Sequence, residues 1–203
     1  MKASQIGRVA VLSLAVLASS CGSAVRQGNT TSFLIVNSLE FARGAEPDTF
    51  TSNLLSDVIT IVDGAASHYN DLARVTFSLG LKDPGSSTSP NAPTQNQFIT
   101  VDRYHVRFFR ADGRNTPGVD VPYEFDGAFT ATVGDAEVQA GFTVVRNIAK
   151  REAPLQALVS NGLVLTTIAE ITFYGRDQTG RSVSATARAS IDFGNFADPK
   201  SDS

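Results

Sequence analysis

The chain has 203 residues, 42% hydrophobic and 18% charged, a composition that excludes a disordered polar chain and is that of a folded domain. Its 17 basic and 20 acidic residues leave a net charge of −3, which excludes the basic footprint of a nucleic-acid binder. One cysteine excludes an internal disulfide framework, and 13 Phe with no Trp point to a core of Phe, Val, Ile and Leu.

Residues 1–8 carry Lys2 and Arg8 and no acid, residues 9–18 are an uncharged apolar run, and the small Ser19 and Ser20 precede Cys21. The run is well short of the roughly 20 residues that span a bilayer as a helix. It has the proportions of the apolar centre of a cleavable export signal, residues 1–20. Leu17-Ala18-Ser19-Ser20-Cys21 resembles the lipobox of bacterial lipoproteins, in which small or aliphatic residues precede an obligatory cysteine. The resemblance implies diacylglyceryl transfer to the Cys21 thiol, cleavage before it, and acylation of the new terminus. Ala18 departs from the pattern, since Leu is commonest in its place. The alternative is an ordinary secretory signal with an incidental cysteine. On the lipoprotein reading the acyl chains hold the protein to a membrane at ~0.8 kcal/mol per buried CH₂. By analogy with two-membraned bacteria, Gly22 favours the outer membrane over the inner, the domain facing the periplasm or the cell surface. Cleavage would remove Lys2 and Arg8, leaving 15 basic against 20 acidic residues, a net charge of −5.

Residues 21–31 read as the lipidated cysteine and a small, polar, aperiodic tether spanning roughly 18 Å on average. From residue 32 the dominant period is two, the mark of strands with one face on a core and one in water. Residues 32–41 place Phe33, Ile35, Leu39 and Phe41 on one face. Residues 54–62 are β-rich but less regular and are expected as a single strand. Residues 73–82 alternate Val75, Phe77, Leu79 and Leu81 with Arg74, Thr76, Ser78 and Lys82. Residues 83–97 are a long irregular stretch rich in Ser, Pro and Asn. Strands follow at 98–110, 125–133 and 136–144, a short helical turn near 153–159, and strands at 165–175 and 181–193. Asp177 to start a turn and Gly180 to supply φ > 0 make the last two a hairpin.

Some eight short strands without helices predict an all-β, immunoglobulin-like antiparallel β-sandwich over residues 32–196, followed by a disordered tail at 197–203. The terminal hairpin, with Tyr174-Gly175-Arg176-Asp177-Gln178-Thr179-Gly180 at its turn, resembles the last two strands of bacterial immunoglobulin-like modules. The Cys-Trp-Cys signature of antibody domains is absent, so the likeness is one of fold. The chain as a whole resembles exported lipoproteins of environmental bacteria, which implies no activity.

Among candidate sites, alternation puts Arg103, His105 and Arg107 on one strand face with Phe109 at its end, a cationic row able to meet an anionic glycan, lipid or peptide. The competing arrangement is a solvated face whose arginines pair with acids on neighbouring strands. His68 lies in a polar loop, and neither histidine has partners at metal-ligand spacing. Asp112, Asn115 and Asp120 offer loop oxygens without the spacing of a calcium loop. No GxSxG elbow, phosphate loop or dinucleotide-binding glycine motif occurs. A carboxylate pair of the glycosidase kind is not excluded by sequence. The expectation is a non-catalytic structural or interaction module without metal or cofactor, its partners a membrane through Cys21 and an envelope protein. The alternatives are a lipoprotein that captures a peptide, glycan or other anionic ligand, and an envelope hydrolase. The absence of Trp disfavours carbohydrate.

Overall fold

In the computed structural model the described residues are 29–198; Cys21, the expected export signal, most of the expected tether and residues 199–203 lie outside them. In chain order the strands are β1 (Ser32–Ala42), β2 (Leu54–Asp57), β3 (Thr60–Val62), β4 (Ala65–Ser67), β5 (Asp71–Leu81), β6 (Gly85–Ser86), β7 (Ser89–Pro90), β8 (Ile99–Phe109), β9 (Phe125–Val133), β10 (Val138–Val145), β11 (Leu165–Asp177) and β12 (Ser182–Gly194). Two sheets form the sandwich, one of order β1-β5-β10 and one of order β2-β12-β11-β8-β9, eight strands in all. The pairings are antiparallel except β2 with β12, which run parallel. The fold is thus all-β, as alternation implied.

The inner faces meet in an aromatic cluster. Phe77 of β5 and Phe142 of β10 reach across to Phe173 of β11 in edge contacts at 5.0 and 5.5 Å, and Tyr104 of β8 lies 4.8 Å from Phe142. Edge geometry sets a positive ring rim against a negative ring face, about 0.5–1.5 kcal/mol per pair beyond the area buried. The Tyr104 hydroxyl also donates to the Thr143 carbonyl at 3.0 Å, a polar bond between the two sheets. The hairpin β11–β12 pairs without interruption from Leu165↔Phe193 to Arg176↔Ser182. Gly180 takes φ +84° in its turn, and Asp177 accepts the N–H groups of Thr179 and Arg181 at 3.0 and 2.9 Å.

Two expectations need correction. In β1 it is Leu34 that points inward, 5% exposed, while Phe33 and Ile35 are 40% and 42% exposed. The register steps from Val36↔Phe77 to Ser38↔Thr76, so Asn37 is an extra residue that reverses the faces, and only Leu39 and Phe41 beyond it turn inward as expected. Residues 33–36 are all apolar, so alternation could not fix their phase. Residues 54–62 are not one strand either. β2 ends at Asp57 beside β12, and β3 forms a separate hairpin with β4. The long stretch 83–97 holds the small β6–β7 hairpin and a turn of 3₁₀ helix at Gln95–Gln97. Short 3₁₀ turns at Ala149–Arg151 and Leu155–Ala157, then one helical turn at Leu158–Asn161, occupy the β10–β11 connection.

Candidate functional site

β8 runs between β11 and β9. Its inward side chains Tyr104, Val106 and Phe108 are buried, which leaves Arg103, His105, Arg107 and Phe109 on the outer face, as the period requires. Register then decides what each one meets. Arg103 faces Tyr174 of β11 and Ala128 of β9, His105 faces Thr172 and Asp126, and Arg107 faces Glu170, whose other neighbour is Arg188 of β12.

The Arg103 guanidinium stacks over the Tyr174 ring, 4.3 Å from its centre, with the Asp126 carboxylate at 3.8 Å. His105 has Asp126 at 3.4 Å on Nδ1 and Glu124 at 3.5 Å on Nε2. Glu170 accepts Arg107 on Oε1 at 3.0 Å and Arg188 on Oε2 at 2.6 Å. Both guanidinium groups approach the Phe109 ring, at 5.8 and 5.5 Å. The cationic row is therefore present, and every member of it has an acid on a neighbouring strand. Exposed pairs of this kind are worth under about 1 kcal/mol each. Arg188 extends the row and was missed in sequence, because nothing short of the β11–β12 register places it opposite Glu170.

The other sequence candidates are engaged in turns. Asp112 is held by Arg110 and Arg114, whose hydrogen bonds, that of Arg110 foremost, draw its carboxyl far below the usual range. Asn115 accepts the Arg110 N–H at 2.6 Å, and Asp120 accepts the Thr116 N–H at 3.1 Å. His68 Nδ1 lies 2.8 Å from the Val58 carbonyl.

A second cluster lies at the end of the sandwich where β5 begins. Lys150, from the first 3₁₀ turn after β10, is 1% exposed, and its Nζ stands 2.9 Å from both Asp71 Oδ1 and Oδ2. The Gly44 N–H donates to Oδ1 at 3.0 Å and the Ser56 hydroxyl to Oδ2 at 2.6 Å. Burial is the largest influence on the Asp71 carboxyl and raises it, against the Lys150 charge and the hydrogen bonds from Ser56, Lys150 and Gly44. A cavity of about 10 Å³, room for about one water, adjoins the pair and is lined in part by Arg43, Glu46, Asp57 and Thr60. Asp57 accepts the Thr60 hydroxyl at 2.8 Å and the Phe196 N–H at 3.1 Å. Burial pushes its carboxyl up too, those bonds and one from the Ile59 amide opposing, the Asp198 charge adding to the rise. Nearby, the Asp198 carboxylate accepts the Ile61 N–H at 2.6 Å, so chain beyond 196 touches this end of the sandwich.

The two clusters differ in what they offer. The outer face presents guanidinium groups and aromatic rings to solvent, where an incoming anion must compete with Glu170, Asp126 and Glu124. The buried cluster is closed to anything much larger than water, and its chemistry is between its own members. No protein-family model and no curated protein matches the chain.

Proposed function

We propose that this chain is a lipoprotein of the cell envelope, held at the outer membrane through Cys21, whose β-sandwich acts as a non-catalytic structural or interaction module. The observation that carries the reading is the lone cysteine of the chain directly after an uncharged apolar run and two small residues. The internal pairing of charges on both clusters is consistent with a module that meets partners through its shape and loops. In metabolic labelling with a fatty acid, wild type is expected to be marked and Cys21→Ala unmarked, with the variant recovered away from the membrane fraction. Equal labelling of the two defeats the assignment.

A second reading is capture of an anionic peptide on the outer face. One observation favours it: Arg107 and Arg188 share a single carboxylate beside Phe109, a local excess of positive charge next to an apolar ring. A carboxylate-bearing partner spanning both guanidinium groups would gain charge-assisted hydrogen bonds and ring contact together. Crosslinking in intact cells separates the readings. Loss of captured partners in the Arg107→Ser/Arg188→Ser variant supports capture on this face, and an unchanged set of partners rejects it.

A further inference from the structure

Near its start, β8 breaks the alternation of the five-stranded sheet. Val101 and Tyr104 are buried, while Asp102 and Arg103 between them are both exposed. Against β11 the register steps from Gly175↔Val101 to Tyr174↔Arg103, so Asp102 has no counterpart there and is the extra residue of a bulge. A Cβ on Gly175 would meet the Thr100 carbonyl oxygen at 2.4 Å, so the β11 backbone closes directly on β8 beside the bulge. The extra residue re-aims a carboxylate to the outer face, next to a guanidinium of the cationic row.

At this place the outer face sinks into a concavity of about 480 Å³, within the roughly 300–1,000 Å³ of small-molecule sites. Ala128, opposite Arg103, and Ser182, opposite Arg176, line it with side chains too short to fill it. Its charged groups are not spent on one another. Arg103 is stacked 4.3 Å over the Tyr174 ring and has Asp126 at 3.8 Å. Among the described residues, neither Arg176 nor Asp102 has an ion pair with the other or with any third group. One exposed cation and one exposed anion therefore line the same concavity, each open to a ligand.

We propose that this concavity is a binding site for a small zwitterion, an amino acid or dipeptide with both termini free. The Arg176 guanidinium takes the carboxylate in a fork of charge-assisted hydrogen bonds, and the Asp102 carboxylate takes the ammonium group. The Ser182 hydroxyl, beside Arg176, adds a donor for the carboxylate, and the stacked Arg103 and Tyr174 form a wall held in place by each other. A plain anion gains Arg176 but meets the charge of Asp102, and a plain cation meets the reverse. The group formed by Arg107, Glu170 and Arg188 lies six residues back along β11, roughly 20 Å away. There two cations share one acid, which suits a plain anion, so the two places call for different ligands. Nothing in this assignment depends on Cys21.

Calorimetric titration of the full chain with alanine and with alanyl-alanine tests the site and separates the two sources of the zwitterion. Saturable binding of at least one is expected. Acetylating its amine or amidating its carboxylate is expected to weaken binding about tenfold, as loss of one charge-assisted bond does. Arg176→Ser should abolish the preference for the free carboxylate and leave that for the free amine, and Asp102→Asn the reverse. Both side chains are exposed, so the variants keep the fold. No saturable binding of either probe, blocked forms that bind as tightly as the free one, or variants that keep both preferences would each overturn the proposal.

Discussion

Asp71 continues the inward phase of β5, two residues before Ala73, and Lys150 Nζ lies 2.9 Å from each of its carboxylate oxygens. The strand thus ends its apolar row on a charge, and the charge is answered from the β10–β11 connection. Removing one partner from such a pair strands the other in a low-dielectric site, which costs about 3–5 kcal/mol. Asp71→Ala is expected to lose about that much in denaturant unfolding. Adding Lys150→Met to it should recover a substantial part, because the stranded ammonium is gone and a thioether of similar length fills its place. A double variant no more stable than Asp71→Ala would mean that the pair contributes chiefly through its attraction, not through the penalty of leaving one charge alone.

Asp57 yields a prediction in pH. Its folded carboxyl lies above the ordinary value because it is buried. A group raised in the folded state contributes stability that is present below the unfolded value, near pH 3.8, and is lost as pH rises through the folded value. Asp57→Asn removes the titration and keeps two of the bonds, since the amide oxygen accepts the Phe196 N–H and the amide NH₂ donates to the Thr60 hydroxyl. The Tm of the variant relative to wild type should therefore climb between about pH 4 and neutrality. A difference flat across that window would show that the carboxyl is not raised.

Gly175 and Gly180 flank the turn of the last hairpin and are needed for different reasons. A Cβ on Gly175 would sit 2.4 Å from the Thr100 carbonyl oxygen, backbone against backbone, where no side chain can swing aside. Gly180 has open space around it and is constrained only by φ +84°. Gly175→Ala is expected to force β8 and β11 apart at a cost of about 1–3 kcal/mol. Gly180→Asn, whose side chain tolerates the left-handed region, should cost under about 1 kcal/mol. Unfolding curves that reverse this order would place the tight approach elsewhere.

What the sequence revealed follows from where one face is wet. β5, β9, β10 and β12 carry small or polar residues outward and apolar ones inward, so period two located each within a few residues. β1 misled because Phe33-Leu34-Ile35-Val36 is apolar on both faces and Asn37 adds a residue to the phase. The outer row Arg103, His105 and Arg107 was legible from alternation alone, but its partners were not, since pairing depends on register. The buried cluster was hidden twice over. Lys150-Arg151 looks like an ordinary solvated basic pair, and Asp71 sits at the end of a polar loop. Carrying the β5 alternation back by two positions from Ala73 would have put Asp71 on the buried face, a signal present in the sequence.

The sharing of Glu170 between two arginines leads to a prediction about coupling. Arg107 and Arg188 hold different oxygens of one carboxylate, at 3.0 and 2.6 Å, and Glu170 is itself only 17% exposed. With either arginine removed, the other still neutralises the carboxylate, so each single replacement by Ser is expected to cost under about 1 kcal/mol, as exposed ion pairs do. With both removed, a largely covered carboxylate is left without a cation in the middle of β11, and the loss should exceed the sum of the singles. Residues that share a partner couple by about 0.5–3 kcal/mol, and here the sign is fixed because the first loss is buffered and the second is not. Raising the salt concentration should shrink the single effects and the excess alike through screening, since these pairs lie on the solvent-facing side of the sheet. The cycle is read from urea midpoints of the four proteins at low and high salt. Strict additivity at both would mean that Arg107 and Arg188 act independently of Glu170, and the row would then be a set of solvated cations and not a network built around one acid.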